Sequence, residues 1–139
     1  MTFLDTNIAV YAIDSHDPLK HAIAAELIDA AVGEEGFRIS VQVLFEFANI
    51  CGKKLGCTPQ ETLKLLDVLS CIEVVNQTPR IVARAVEIKS LYGISLQDAM
   101  IVAAAEKSGC GELLSEDLND GQVYAGVRVR NPFKDGDAT

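Results

Sequence analysis

The sequence predicts an α/β fold, a three-layer α/β/α sandwich in which helices cover both faces of a mostly parallel sheet of four to five short strands. Two observations predict it. Short apolar or β-branched segments alternate with longer ones whose apolar residues recur every three or four positions, and that alternation implies right-handed crossovers between parallel strands. The 139 residues also suit a single hydrophobic core, because two domains of half that length would each bury too little surface. One domain is expected over residues 1–133, with a polar, frayed tail over 134–139.

Thr2 to Leu4 is a short apolar strand, and Ile8 to Ile13 resumes as helix. After the polar stretch Asp14 to Asp17, Pro18 opens an amphipathic helix carrying Leu19, Ile23, Leu27, Ile28 and Ala31, which ends near Gly33. Arg38 to Ser40 gives a second strand, followed by a helix from about Val41 to Leu55 that Gly56 stops. Thr58-Pro59-Gln60-Glu61 is a capping box with proline at the first helical position, and the helix it opens runs through Leu63, Leu66 and Leu69. Ile72 to Val75 reads as strand three, and Thr78-Pro79 starts a helix to Tyr92 that Gly93 terminates. Ser95 caps a helix from Leu96 to Ser108, ahead of strand four at Glu112 to Ser115 and a last strand at Val127 to Val129.

Composition removes several function classes. No apolar run approaches the roughly 20 residues of a spanning helix, so no membrane association is expected. The start Met-Thr-Phe-Leu-Asp lacks a basic segment followed by an apolar one, and the expected compartment is the cytoplasm. Cys51, Cys57, Cys71 and Cys110 form no C-x-x-C pair, and the only histidines, His16 and His21, lie far from them in sequence; buried free thiols are expected rather than a zinc site. A net charge of -8 argues against holding nucleic acid on a broad basic surface. A polyanionic substrate would need bound cations, with Arg38, Lys53, Lys54, Arg80 and Arg84 adding local positive potential. The same charge suits a basic protein partner.

Four acids stand out. Asp5 follows the first strand and Asp117 the fourth, so both fall at the carboxyl edge of the sheet, where ligands bind in such folds. Asp98 lies in the first turn of the helix capped by Ser95, and Glu46 sits in the apolar run Val43-Leu44-Phe45-Glu46-Phe47-Ala48. Each has a structural reading too: Asp5 as a turn residue or N-cap, Asp98 as a carboxylate favoured by the helix dipole, Asp117 as a solvated loop acid, Glu46 on a narrow polar face. A buried Glu46 would need a hydrogen-bonding partner, a metal or a shifted pKa. Carboxylates gathered at one sheet edge repel one another unless cations neutralise them, and hard oxygen ligands suit Mg²⁺ or Mn²⁺. Such a site can activate water for in-line phosphoryl displacement without a covalent protein nucleophile.

Phe3-Leu4-Asp5-Thr6-Asn7-Ile8, Glu46 in its helix, Ser95-Leu96-Gln97-Asp98-Ala99 and Leu114-Ser115-Glu116-Asp117-Leu118 together resemble the PIN-domain nucleases. The resemblance runs from Phe3 to Phe133, and in style is closest to the VapC-type toxins of toxin–antitoxin pairs, which often close with a segment like Asn131-Pro132-Phe133. It implies a PIN-like sandwich and a Mg²⁺- or Mn²⁺-dependent endoribonuclease acting on RNA. Asp5 and Asp98 match the principal metal ligands, Asp117 a second ligand often acting through water, and Glu46 a ligand or water-orienting base. Thr6, Asn7 and Ser115 match supporting polar positions. Asp120 is either an accessory acid or a plain loop acid, because many relatives carry a basic or neutral residue nearby. The resemblance further implies a cognate antitoxin and a homodimer, with the helix around Phe45, Phe47 and Ile50 serving an interface or the core.

Other readings are a free-standing RNA-processing nuclease of the same fold and a non-catalytic acidic cleft that binds a basic protein. A phosphotransfer enzyme with an aspartyl nucleophile would want a second Asp two residues after Asp5, where Asn7 stands.

Overall fold

The computed structural model describes residues 1–134. In chain order the elements are β1 (Thr2–Leu4), α1 (Thr6–Tyr11), α2 (Pro18–Gly33), β2 (Phe37–Ser40), α3 (Val41–Lys53) and α4 (Pro59–Leu69). The second half adds β3 (Glu73–Val75), α5 (Pro79–Tyr92), α6 (Leu96–Lys107), β4 (Glu112–Leu114), β5 (Val123–Tyr124) and β6 (Val127–Arg130). The helices begin where the sequence supplies caps: Asp17, Ser40, Thr58, Thr78 and Ser95 each accept a first-turn amide on the side chain. The capping box is complete, with Thr58 N donating to Glu61 Oε1 at 2.8 Å and Glu61 N to Thr58 Oγ1 at 3.1 Å. At the other end of α5, Gly93 takes a left-handed φ of 69° that a side chain would oppose.

The sheet has six strands in the order β3-β2-β1-β4-β6-β5. All neighbours are parallel except β5 and β6. The sequence reading of four to five strands missed β5, a two-residue strand too short to show alternation. β1 and β4 occupy the middle, and their apolar residues Phe3, Leu4, Leu113 and Leu114 are at most 1% exposed. Burying each such side chain contributes about 1.5–3 kcal/mol, so these four residues anchor the centre of the sheet.

Chain direction determines where a site can form. From β1 the chain steps to β2 and then β3 on one side, and afterwards crosses back beyond β1 to β4 on the other. Crossovers between parallel strands follow the right-handed rule, which assigns α1–α4 to one face and α5 and α6 to the opposite face, and the helices pack in those two groups. The carboxyl ends of β1 and β4 therefore border a crevice at which the strand order reverses, the place where open α/β sheets bind ligands.

Several local expectations need correction. Leu19 of α2 is 59% exposed, so the buried stripe of that helix is Ala24, Ile28 and Ala31. Cys51 and Cys110 are buried free thiols, but Cys71 is exposed and Cys57 intermediate. Phe47 is core while its neighbour Phe45 is 71% exposed. In the expected frayed tail, Lys134 pairs with Asp120 at 3.1 Å, and residues 135–139 lie outside the described residues.

Candidate metal centre

Asp5 leaves the end of β1 and caps α1, its Oδ1 accepting from Thr6 N at 2.7 Å. Its other oxygen accepts from the buried Ser115 hydroxyl at 2.6 Å. Ser115 follows β4 directly and also accepts from Asp117 N at 3.1 Å, so one hydroxyl ties both strand ends together. Asn7, two residues beyond Asp5, donates from Nδ2 to Asp117 Oδ2 at 3.0 Å. Asp98 reaches the crevice from the first turn of α6, which Ser95 starts by accepting from Asp98 N at 3.1 Å. The outcome is that Asp5, Asp98 and Asp117 each bring a carboxylate oxygen to within 4.8 Å of the other two.

Glu46 lines the same crevice from α3 but stands outside that triad. It is half-buried rather than buried, and is held by the Thr6 hydroxyl at 2.5 Å and by Gln42 Nε2 at 3.3 Å. Gln42 also donates to Gln97 O at 3.0 Å, linking α3 to the start of α6 beside Asp98. Three of the expected supporting residues thus bind the acids directly: Ser115 holds Asp5 and the backbone of Asp117, Asn7 holds Asp117, and Thr6 holds Glu46 by its hydroxyl and Asp5 by its amide. Asp120 is not brought to the crevice; it accepts from Asn131 N at 2.8 Å and from Lys134 Nζ, and these bonds hold its carboxyl below the usual range.

The electrostatics follow from this crowding. Burial pushes the Asp5 carboxyl up to about 7, assisted by the Asp117 and Asp98 charges and opposed by the Ser115 and Thr6 hydrogen bonds. Asp117 is also raised, first by partial enclosure of its carboxylate in the crevice, with Asp98 and Glu116 adding to the effect and the Asn7 bond opposing it. Both shifts come first from burial, and the neighbouring carboxylates add to it. The donor set is oxygen only, and among the described residues the buried Asn7 Oδ1 has no hydrogen-bond partner, so the residues present fit a hard divalent cation.

Of the expected basic residues, Lys54 lines the crevice. Arg84 is engaged with Glu106 through two bonds, and Arg38 lines a separate hollow with Glu34, Glu35 and Glu73. Sequence reasoning missed Gln42 and the cluster in which Lys20 Nζ bonds Glu116 at 2.9 Å and lies over the rings of Tyr11 and Phe133. Gln42 stands four residues before Glu46 on one helix face, a spacing that could have revealed it. Lys20 and Glu116 are 96 positions apart and carry no local signal.

Known structures share this architecture. A chain of a toxin–antitoxin complex from Klebsiella pneumoniae superposes with a TM-score of 0.71 at 23% identity, covering 95% of this chain and 98% of that one. VapC20 of Mycobacterium tuberculosis, described as a sarcin-ricin loop cleaving toxin, gives 0.68 at 18% identity over 92% and 99%. A chain of VapBC2 from Rickettsia felis, bound to a promoter DNA fragment, gives 0.68 at 20% identity over 94% and 97%. At these identities the likeness establishes the fold. No curated protein matches the chain. The PIN domain family model matches residues 2–123, a span that carries the triad and the crevice around it, and the chain belongs to the PIN domain family.

Proposed function

We propose that this chain is an endoribonuclease dependent on Mg²⁺ or Mn²⁺, and the toxin member of a toxin–antitoxin pair. The carrying observation is the meeting of three carboxylates from distant parts of the chain within 4.8 Å, at the point where the strand order reverses. Asp5, Asp98 and Asp117 would hold the cation, which supplies Lewis-acid activation of phosphate and water. Glu46, oriented by Thr6 and Gln42, directs the attacking water and takes up its proton. The enzyme's own contribution is position: Asp5, Asp117 and Glu46 are set by neutral donors before substrate arrives, and Asp98 is placed by the first turn of α6.

The toxin assignment is supported by the toxin–antitoxin complexes among the structural relatives. A cognate antitoxin with a basic segment would complement both the -8 net charge and the acidic crevice. Val82 and Val86, exposed one turn apart on α5, offer a second copy an apolar face for a homodimer.

The test is cleavage of a labelled structured RNA pool with Mg²⁺ or Mn²⁺, beside EDTA, Asp5→Asn and Asp98→Asn. Metal-dependent cutting lost in both variants is the expected result. Equal cutting by all three proteins would mark a contaminating nuclease. Absence of cutting across varied RNAs would turn the reading to a non-catalytic acidic cleft that binds a basic protein.

A further inference from the structure

The crevice holding the acids has a second wall of different chemistry. Its volume is about 740 Å³, which lies within the roughly 300–1,000 Å³ of pockets that enclose ligands of drug size. Besides the acids, its lining includes the apolar Phe45, Ile50 and Leu55 together with Asn49 and Lys54. α3 supplies both kinds of surface, because consecutive helical residues point about 100° apart. Glu46 turns inward to the Thr6 hydroxyl, while Phe45 stands 71% exposed beside it.

Hydrolysis of a phosphodiester calls for charge and hydrogen bonds, and the triad with Glu46 provides them. An apolar wall ending in an exposed ring has no use for phosphate. The part of RNA that matches it is the nucleobase, whose π-face stacks on aromatic side chains. Resting on the endoribonuclease reading above, the geometry points to Phe45 as the platform on which an unpaired base next to the scissile phosphate stacks. Substrates are then RNAs that present an unstacked nucleotide, in a loop, bulge or single strand. A base within a duplex already has both faces covered by its neighbours and cannot stack on Phe45 without being extruded. Lys54, exposed on the same rim and in no ion pair among the described residues, is placed to meet a neighbouring phosphate.

The chain contains no tryptophan, so Phe45→Trp installs a single indole on this wall. In an Asp5→Asn background, which does not cut, a short mixed-sequence single-stranded oligoribonucleotide should quench that indole, and the matching duplex should leave it unchanged. With Asp5 intact, Phe45→Ala should lower kcat/KM on a hairpin cut in its loop by about tenfold or more. Phe45→Trp, which keeps an aromatic face, should recover most of that loss, and the Mg²⁺ concentration for half-maximal rate should be the same in all three. Quenching without cleavage by any protein would uphold the stacking platform and sink the nuclease reading. Cleavage unaffected by Phe45→Ala, or fluorescence unmoved by single strands, would overturn the platform and assign the exposed ring to a protein surface.

Discussion

The Ser115 hydroxyl donates to Asp5 at 2.6 Å across 110 positions of sequence, joining the ends of the two central strands at a buried acid. The same oxygen accepts from Asp117 N, so Ser115 holds one clustered carboxylate directly and the backbone that carries a second. Ser115→Ala leaves the packing of a fully buried small side chain almost unchanged and removes both bonds. Asp5 then loses a stabiliser of its charged form, and its carboxyl rises further. Groups that orient metal ligands typically contribute about 10- to 100-fold in affinity or activity, and a loss of that size is expected here in the Mn²⁺ concentration for half-maximal cleavage. An unchanged metal titration in Ser115→Ala would contradict this role.

The raised Asp5 carboxyl makes stability depend on pH with a definite sign. In the unfolded chain Asp5 ionises near its ordinary 3.8, whereas in the folded chain it holds its proton to about 7. Between those values the native state binds the extra proton, so the contribution of this group to stability falls as pH rises through that window. Asp5→Asn removes the cost of a buried charge, and the Ser115 hydroxyl can rotate to accept from the new amide. In metal-free buffer the melting temperature of Asp5→Asn relative to wild type should therefore climb between pH 5 and pH 8. Added Mg²⁺ should raise the wild-type value most at the upper end, where the cation replaces the missing proton. A flat difference across that range would show that Asp5 titrates normally.

Local signals in the sequence carried the helices well, because caps and stops are local chemistry. Thr58-Pro59-Gln60-Glu61 and Gly93 can be read with no knowledge of what packs against them. The nearness of Asp5 and Asp117 was legible because strand ends place both on one edge. Three things were not. β5 is set by pairing with β6 rather than by its own two residues. Phe45 and Phe47 look alike in sequence, and only the helix phase against the core separates an exposed ring from a buried one. The contact between Lys20 and Glu116 depends on the tertiary fold, which brings α2 beside the loop after β4.

Gln42 connects the two sides of the crevice that the sheet does not connect. Its amide donates to Glu46 Oε2 at 3.3 Å and to Gln97 O at 3.0 Å, spanning from α3 to the first turn of the helix that bears Asp98. Gln42→Ala deletes both contacts from a half-buried surface position and opens no core cavity. The melting temperature should stay within about 2 °C of wild type, as for substitutions outside the core. Cleavage should fall about tenfold through loss of alignment, with kcat reduced more than KM changes. A parallel fall in stability would mean that Gln42 acts on the fold rather than on the acids.

The turn between β5 and β6 places Ala125 at φ 50°, the only described non-glycine residue with positive φ, followed by Gly126 at φ 83°. Positive φ at both central residues is the signature of the type I′ hairpin turn, in which asparagine or glycine is favoured at the first position. Alanine there brings its Cβ too close to the following carbonyl, at a cost on the order of 1 kcal/mol. Ala125→Asn should recover part of this without loosening the unfolded chain, raising the melting temperature by about 2–4 °C. Ala125→Gly should recover the strain but return some of the gain through greater unfolded-state entropy, so it is expected between wild type and Ala125→Asn. Neither change removes the backbone amide of residue 125, which donates to Tyr92 Oη at 2.9 Å, nor the edge contact of Tyr92 with Tyr124. The turn lies away from the residues lining the crevice, so cleavage should be unaltered in both variants. If thermal unfolding ranks both variants below wild type, the half-buried methyl of Ala125 contributes more through packing than its backbone conformation costs.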